Sequence, residues 1–251
     1  ETVLGWLERI GCGTDDLACG AHPPLDEAAT RALLGEGRSP GAVHNNCSGK
    51  HAGFLSAARH LGHATKDYIR YDHPVQQLVL GILEQMTGLD LGGAPRGIDG
   101  CSIPVIGVPL GNLALAMARF ADPRDQPDRR QEAAARIRRA MAAEPFMAAG
   151  TGSFTTRILE ATGDEALIKG GAEGVYLGAL PGPGLGIALK VDDGSNRAAE
   201  VIMGSLLRRF GVLSEKDAEG LRDLLEPPVL DRAGAEVGRI KACAPSLGDS
   251  Q

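Results

Sequence analysis

No apolar run in these 251 residues approaches the roughly 18 residues that a membrane-spanning helix needs. A membrane partner is therefore not expected. Positive charge is in short supply, with 26 Lys and Arg against 32 Asp and Glu and a net charge of −6. That balance argues against nucleic acid as the main partner. The chain opens Glu1-Thr2-Val3-Leu4-Gly5-Trp6, without Met, basic start or apolar signal core. Repeats, linkers and low-complexity stretches are missing too. The five cysteines, Cys12, Cys19, Cys47, Cys101 and Cys243, are odd in number and widely spaced. This excludes a disulfide framework and points to reduced thiols and a cytoplasmic protein.

What is present is the composition of a globular chain, 43% apolar with mixed charge. Helices are expected over 2–10, 25–34, 75–86, 110–120, 126–141, near 155–161, 195–210 and 214–225. Pro74 follows Asp72-His73, so His73 is expected to cap the helix it precedes. A short strand is expected up to Lys169. Val175–Leu180 and Leu185–Val191 should form a hairpin across Pro181-Gly182-Pro183-Gly184, and a last strand should fall within Val229–Cys243. The expected class is α/β (α+β), one domain over 1–251, with a central, largely antiparallel sheet flanked by helices.

The richest stretch is His44-Asn45-Asn46-Cys47-Ser48-Gly49-Lys50-His51-Ala52-Gly53-Phe54. Unpartnered polar groups are costly to bury, so a thiol, an amine, imidazoles and amides this close together mark something other than core. Phe54, Leu55, Ala57, Ala58 and Leu61 then fall at helical spacing. The polar cluster thus lies at a helix N-terminus, where free N–H groups and the dipole favour a thiolate. A phosphate loop is excluded: Gly49-Lys50 is preceded at the required position by His44 and followed by His51. Cys47 could ligate a metal with Lys50 or His51 beside it, could be a nucleophile with Lys50 as base, or could be a small buried apolar group at an ordinary helix N-terminus capped by an Asn or Ser. Gly97-Ile98-Asp99-Gly100-Cys101-Ser102 supplies a second thiol in a Gly-rich turn, which favours a shared metal site.

Taken together, the stretches around Cys47 and Cys101, Asp72-His73-Pro74-Val75-Gln76, Ala149-Gly150-Thr151-Gly152 and Lys169-Gly170-Gly171-Ala172-Glu173-Gly174 resemble the zinc-containing L-asparaginases of the inducible, thermolabile type. The resemblance runs over nearly the whole chain. It implies a fold similar to serine β-lactamases and glutaminases, hydrolysis of L-asparagine to L-aspartate and ammonia, and a homodimer. It further implies Zn2+ held by Cys47, Lys50 and Cys101, and a catalytic lysine at Lys169. The family's nucleophile is a serine in a Ser-x-x-Lys motif, and these 251 residues contain no such motif. Ser153-Phe154-Thr155-Thr156 also departs from the family, which has an Asp near Thr155. The chain is accordingly expected to lack the family's N-terminal portion, leaving an open sheet edge or an exposed apolar face.

Amide hydrolysis needs an activated nucleophile, oxyanion stabilisation and a proton for the leaving ammonia. A lysine serves as base when burial or nearby cations depress its pKa, and Lys169 among glycines and short apolar residues is the candidate. Two thiolates and an amine leave a zinc ion one open position. His51 and Asp99 are candidates to orient the ligands or to contact substrate. Two other readings stand beside this one: a metal-free cysteine amidohydrolase using Cys47 with Lys50, and a zinc-binding fragment without turnover.

Overall fold

The computed structural model describes residues 1–243. They divide into two compact units, 1–108 and a second beginning at Pro109.

The first unit contains α1 (Thr2–Arg9), α2 (Glu27–Gly35), α3 (Ser48–His60), α4 (Pro74–Thr87) and a hairpin of β1 (Arg96–Ile98) and β2 (Pro104–Ile106). Helix α3 buries Ser48, His51, Ala52, Leu55 and Ala58. That stripe has helical spacing, but its first turn is polar, which places Ser48 and His51 at the end of the core. Leu7, Leu17, Cys19, Ala52, Leu55, Tyr68 and Cys101 form the buried centre, with Cys12 and Cys47 packed partly buried against it. Trp6 Nε1 donates to Ser56 Oγ at 2.8 Å and fixes α1 on α3. Helix α4 starts as expected: His73 Nδ1 accepts the Val75 amide at 3.2 Å, and Pro74 fills the first turn. It ends at Gly88, whose φ of 74° is left-handed.

The second unit contains α5 (Leu110–Ala121), α6 (Asp128–Ala143), α7 (Pro145–Ala149), α8 (Phe154–Thr162), α9 (Asn196–Arg209), α10 (Glu215–Gly220) and α11 (Arg222–Leu225). Its main sheet has the order β3 (Leu167–Gly170), β4 (Val175–Leu180), β5 (Leu185–Lys190), antiparallel throughout. Ile168, Tyr176, Leu180, Ile187 and Leu189 face Phe154 and Ile158 of α8 and Met203 and Leu207 of α9. Leu167 and Ala179 point to the opposite face, with Ala121 and Met117 of α5. The period of two is the reason that one strand serves both layers. On β5, Gly186 lets α5 pack backbone to backbone: a Cβ there would lie 2.0 Å from Ala114 O and 2.2 Å from Ala118 N. A last hairpin joins β6 (Pro228–Leu230) to β7 (Glu236–Arg239).

The α+β class is borne out, with helices flanking antiparallel strands. In place of one central sheet there are three small ones, of two, three and two strands among the described residues. The expected helix over 214–225 is split at Leu221, and the single last strand proves to be a hairpin. The expected hairpin across Pro181–Gly184 lies in the main sheet, with β3 at its edge.

Candidate functional site

Three loops of the first unit build the candidate site. Asn45 is the tie between two of them. Its amide donates to Cys19 O at 2.8 Å and Gly20 O at 3.1 Å, and its Oδ1 accepts the Cys47 amide at 2.8 Å. Cys47 then caps α3, and the His51 amide closes the first turn on Cys47 O at 3.0 Å. Lys50 lies in that turn. The third loop is the β1–β2 connection, closed by Asp99 N to Ile103 O and Ser102 N to Asp99 O, both 2.8 Å. Ser102 takes a φ of 74° to make the turn. Cys101, 4% exposed, points inward from it.

Lys50 Nζ donates to Cys101 Sγ at 3.2 Å, Cys101 Sγ donates to Asp99 Oδ2 at 3.2 Å, and Lys50 Nζ stands 3.6 Å from the same carboxylate oxygen. Gly100 N donates to Asp99 Oδ1 at 2.8 Å, so both carboxylate oxygens are engaged. Burial opposes the charge on Lys50, but its hydrogen bond to Cys101 and the charges of Cys47, Cys101 and Asp99 outweigh it and raise its pKa. Burial pushes the Cys101 thiol up, against the pull of Lys50. The Cys101 hydrogen bond holds the Asp99 carboxyl low, with help from Gly100 and Lys50.

His51 lies directly beneath, 0% exposed, with Nδ1 and Tyr68 Oη 2.5 Å apart. Burial, and then the Lys50 charge, push its pKa down to about 4, so the ring is neutral at pH 7. Burial pushes Tyr68 up to about 12 and keeps its hydroxyl protonated. His51 stacks edge-on against Phe54 and Tyr68, with ring centres 5.8 and 5.5 Å away.

The donor set suits a soft divalent ion. Tetrahedral bonds of about 2.3 Å to sulfur and about 2.0 Å to nitrogen put those donor atoms about 3.5 Å apart. The 3.2 Å between Lys50 Nζ and Cys101 Sγ is close to that spacing. Among the described residues no three His, Cys, Asp or Glu side chains gather as a metal-holding group. A metal here therefore needs the Lys50 amine as its third protein donor, beside the two thiols.

The structure joins Lys50, Cys101 and Asp99 by direct contact, sets Cys47 one turn before His51, and ties His51 to Tyr68. Lys169 belongs to the second unit, on β3 opposite Leu177. Its side chain is exposed and donates to Gly170 O at 2.7 Å, so the burial expected for a lysine base is not met by this chain's own residues. Cys19 is buried in the same apolar cluster as Cys47 and Cys101 and donates to Ala42 O at 3.4 Å, the place of a structural thiol. Burial raises its pKa, which suits a packed neutral thiol. Tyr68 and Asn45 were not singled out by sequence. Asn45 had a signal, an amide two residues before the helix cap, whereas nothing local marks Tyr68. No disulfide links Cys12, Cys19, Cys47 or Cys101. No described helix is long and apolar enough to cross a membrane.

The sequence model of one family, L-asparaginase II, matches residues 1–242. None of the curated proteins matches the chain significantly. The match spans nearly the full length, and the chain belongs to the L-asparaginase II family.

Proposed function

We propose that this member of the L-asparaginase II family acts on L-asparagine through a zinc centre made by Cys47, Lys50 and Cys101, in a reduced, cytoplasmic setting and as a homodimer. One observation carries the reading: Lys50 Nζ lies 3.2 Å from Cys101 Sγ, one helical turn after a second thiol at Cys47. A bound zinc would supply Lewis acidity and one open position for the α-amino or carboxylate group of a small substrate. Asp99 orients Lys50 and Cys101 through its Oδ2, and the Gly100 amide holds that carboxylate in turn. Lys169, whose side chain is exposed on the edge strand β3, is the proton acceptor for a hydroxyl nucleophile in this reading.

The serine of a Ser-x-x-Lys pair is not among the 251 residues. By themselves they should therefore release ammonia from asparagine only slowly, because positioning without a nucleophile leaves a small residual rate. The assay is ammonia release from asparagine, and from glutamine, with saturating zinc. Turnover of about 1 s⁻¹ or above would overturn this and place the nucleophile within these residues.

A cysteine nucleophile is the second reading, because a Cys–Lys contact does exist. The contact is with Cys101, however, which is 4% exposed and poorly placed to attack a substrate. Inactivation by iodoacetamide that a chelator leaves unchanged would favour this reading.

A further inference from the structure

Beneath the proposed centre sits a polar group that packing alone does not explain. His51 is fully buried on α3, between Lys50 and Ala52. The Tyr68 oxygen accepts the Ala18 amide at 2.9 Å and lies 2.5 Å from His51 Nδ1, to which we assign its own proton. The proton of the neutral imidazole then resides on Nε2. That nitrogen lies in the interior and has no hydrogen-bond partner. A buried N–H left unmade is destabilising, and the neighbouring Ala52, Leu55 and Phe54 would seat an apolar side chain without that cost. The charges of Lys50 and Asp99 both act on the ring. Cys47 precedes His51 by one turn on the same helix face.

We propose that His51 is a positioning residue for the Cys47–Lys50–Cys101 centre, its tautomer fixed by Tyr68 so that the uncommitted Nε2–H serves the Cys47 sulfur once that sulfur is an anionic ligand. A neutral thiol accepts hydrogen bonds weakly, whereas an ionised acceptor roughly doubles their strength. This accounts for a donor that stands idle beside a neutral thiol. A hydrogen bond to the sulfur limits how the ligand turns about its own bonds and spreads its charge. The inference rests on the metal reading above, and the two fail differently.

The experiment titrates Co2+ as a spectroscopic probe into the metal-free protein, following the thiolate-to-metal absorption, beside a thermal melt of the same metal-free sample. His51→Leu is expected to leave the metal-free Tm equal or higher and to weaken Co2+ binding about 10-fold or more, the usual effect of losing a partner of a metal ligand. His51→Gln keeps an amide N–H at similar reach and is expected to recover most of the affinity. Long-range 1H–15N spectra of the wild type should show the Nε2-protonated tautomer of His51, and Tyr68→Phe should mix the two tautomers. Unchanged affinity in His51→Leu, or a wild-type Nδ1-protonated ring, overturns the inference while the metal reading stands. No thiolate–Co2+ absorption in the wild type overturns the metal reading and the inference with it.

Discussion

The close approach of α5 to β5 makes Gly186→Ala a severe change for so small an addition. The new Cβ would stand 2.0 Å from Ala114 O, 2.2 Å from Ala118 N and 2.8 Å from Met117 C. Comfortable separations are about 3.5 Å, so the helix must retreat by more than about 1 Å, and a gap of that size forfeits a quarter to a half of the dispersion attraction across it. All three obstacles are backbone, so no rotamer change relieves them. Overpacking typically costs about 1–3 kcal/mol, and this site belongs at the top of that range, near 3 kcal/mol. For a chain of this size that is a fall in Tm of about 6–12 °C. Gly204→Ala is the first comparison. Its Cβ would meet Leu225 Cδ2 at 2.3 Å, a side-chain end that can swing away, so about 1 kcal/mol is expected. Gly220→Ala, with nothing within 4 Å, is the second. There the loss of chain entropy in the unfolded state should leave stability unchanged or raised by up to about 1 kcal/mol. Thermal melts of the three variants rank them. A Gly186→Ala protein that melts with the wild type would refute the backbone-to-backbone packing and, with it, the support that α5 gives the sheet carrying Lys169.

Asn45→Ala removes three hydrogen bonds that join the Cys19–Gly20 loop to the start of α3. It should cost about 2 kcal/mol or more in urea denaturation and should weaken zinc binding by loosening the turn that bears Cys47. Tyr176→Phe strands Thr155 Oγ1, its buried partner at 2.5 Å, at a cost of about 1–3 kcal/mol. Thr155→Val added to it should recover part of that loss, and a purely additive double variant would contradict the pairing. Burial raises the pKa of Glu200 above its ordinary value. The folded state therefore binds more protons than the unfolded state between the two pKa values, and stability falls as pH rises through that window. Glu200→Gln should then stabilise at pH 7 and have little effect below the ordinary glutamate pKa. Urea midpoints at both pH values test this, and equal effects at both would contradict it.

Local signals were legible where one short segment determines its own conformation. Pro74 after His73 marked the start of α4, and Pro181–Gly184 between two apolar runs marked the β4–β5 turn. The polar stretch ending in a helical run located Cys47 and Lys50 at the start of α3. Contacts between distant segments were not legible. Strands β1 and β2 have only three residues each, and the glycines beside them read as loop; they exist because they pair with each other. Cys19, Asn45 and Tyr68 reach the centre from three loops whose meeting has no periodicity to read. The split between α10 and α11 at Leu221 reflects tertiary packing of Leu221 and Leu225 into the core, which overrides a helical pattern that looked continuous.

The proposed zinc ion would be held by two cysteines and a lysine of this chain. Zinc-edge X-ray absorption on the reconstituted protein reads that coordination shell. The expected result is one zinc per chain, with two sulfur neighbours at about 2.3 Å and lighter N or O neighbours at about 2.0 Å. One sulfur of that shell should be lost in Cys47→Ser and one in Cys101→Ser. A shell of nitrogen and oxygen alone, or a protein that keeps no zinc after gel filtration, would contradict it.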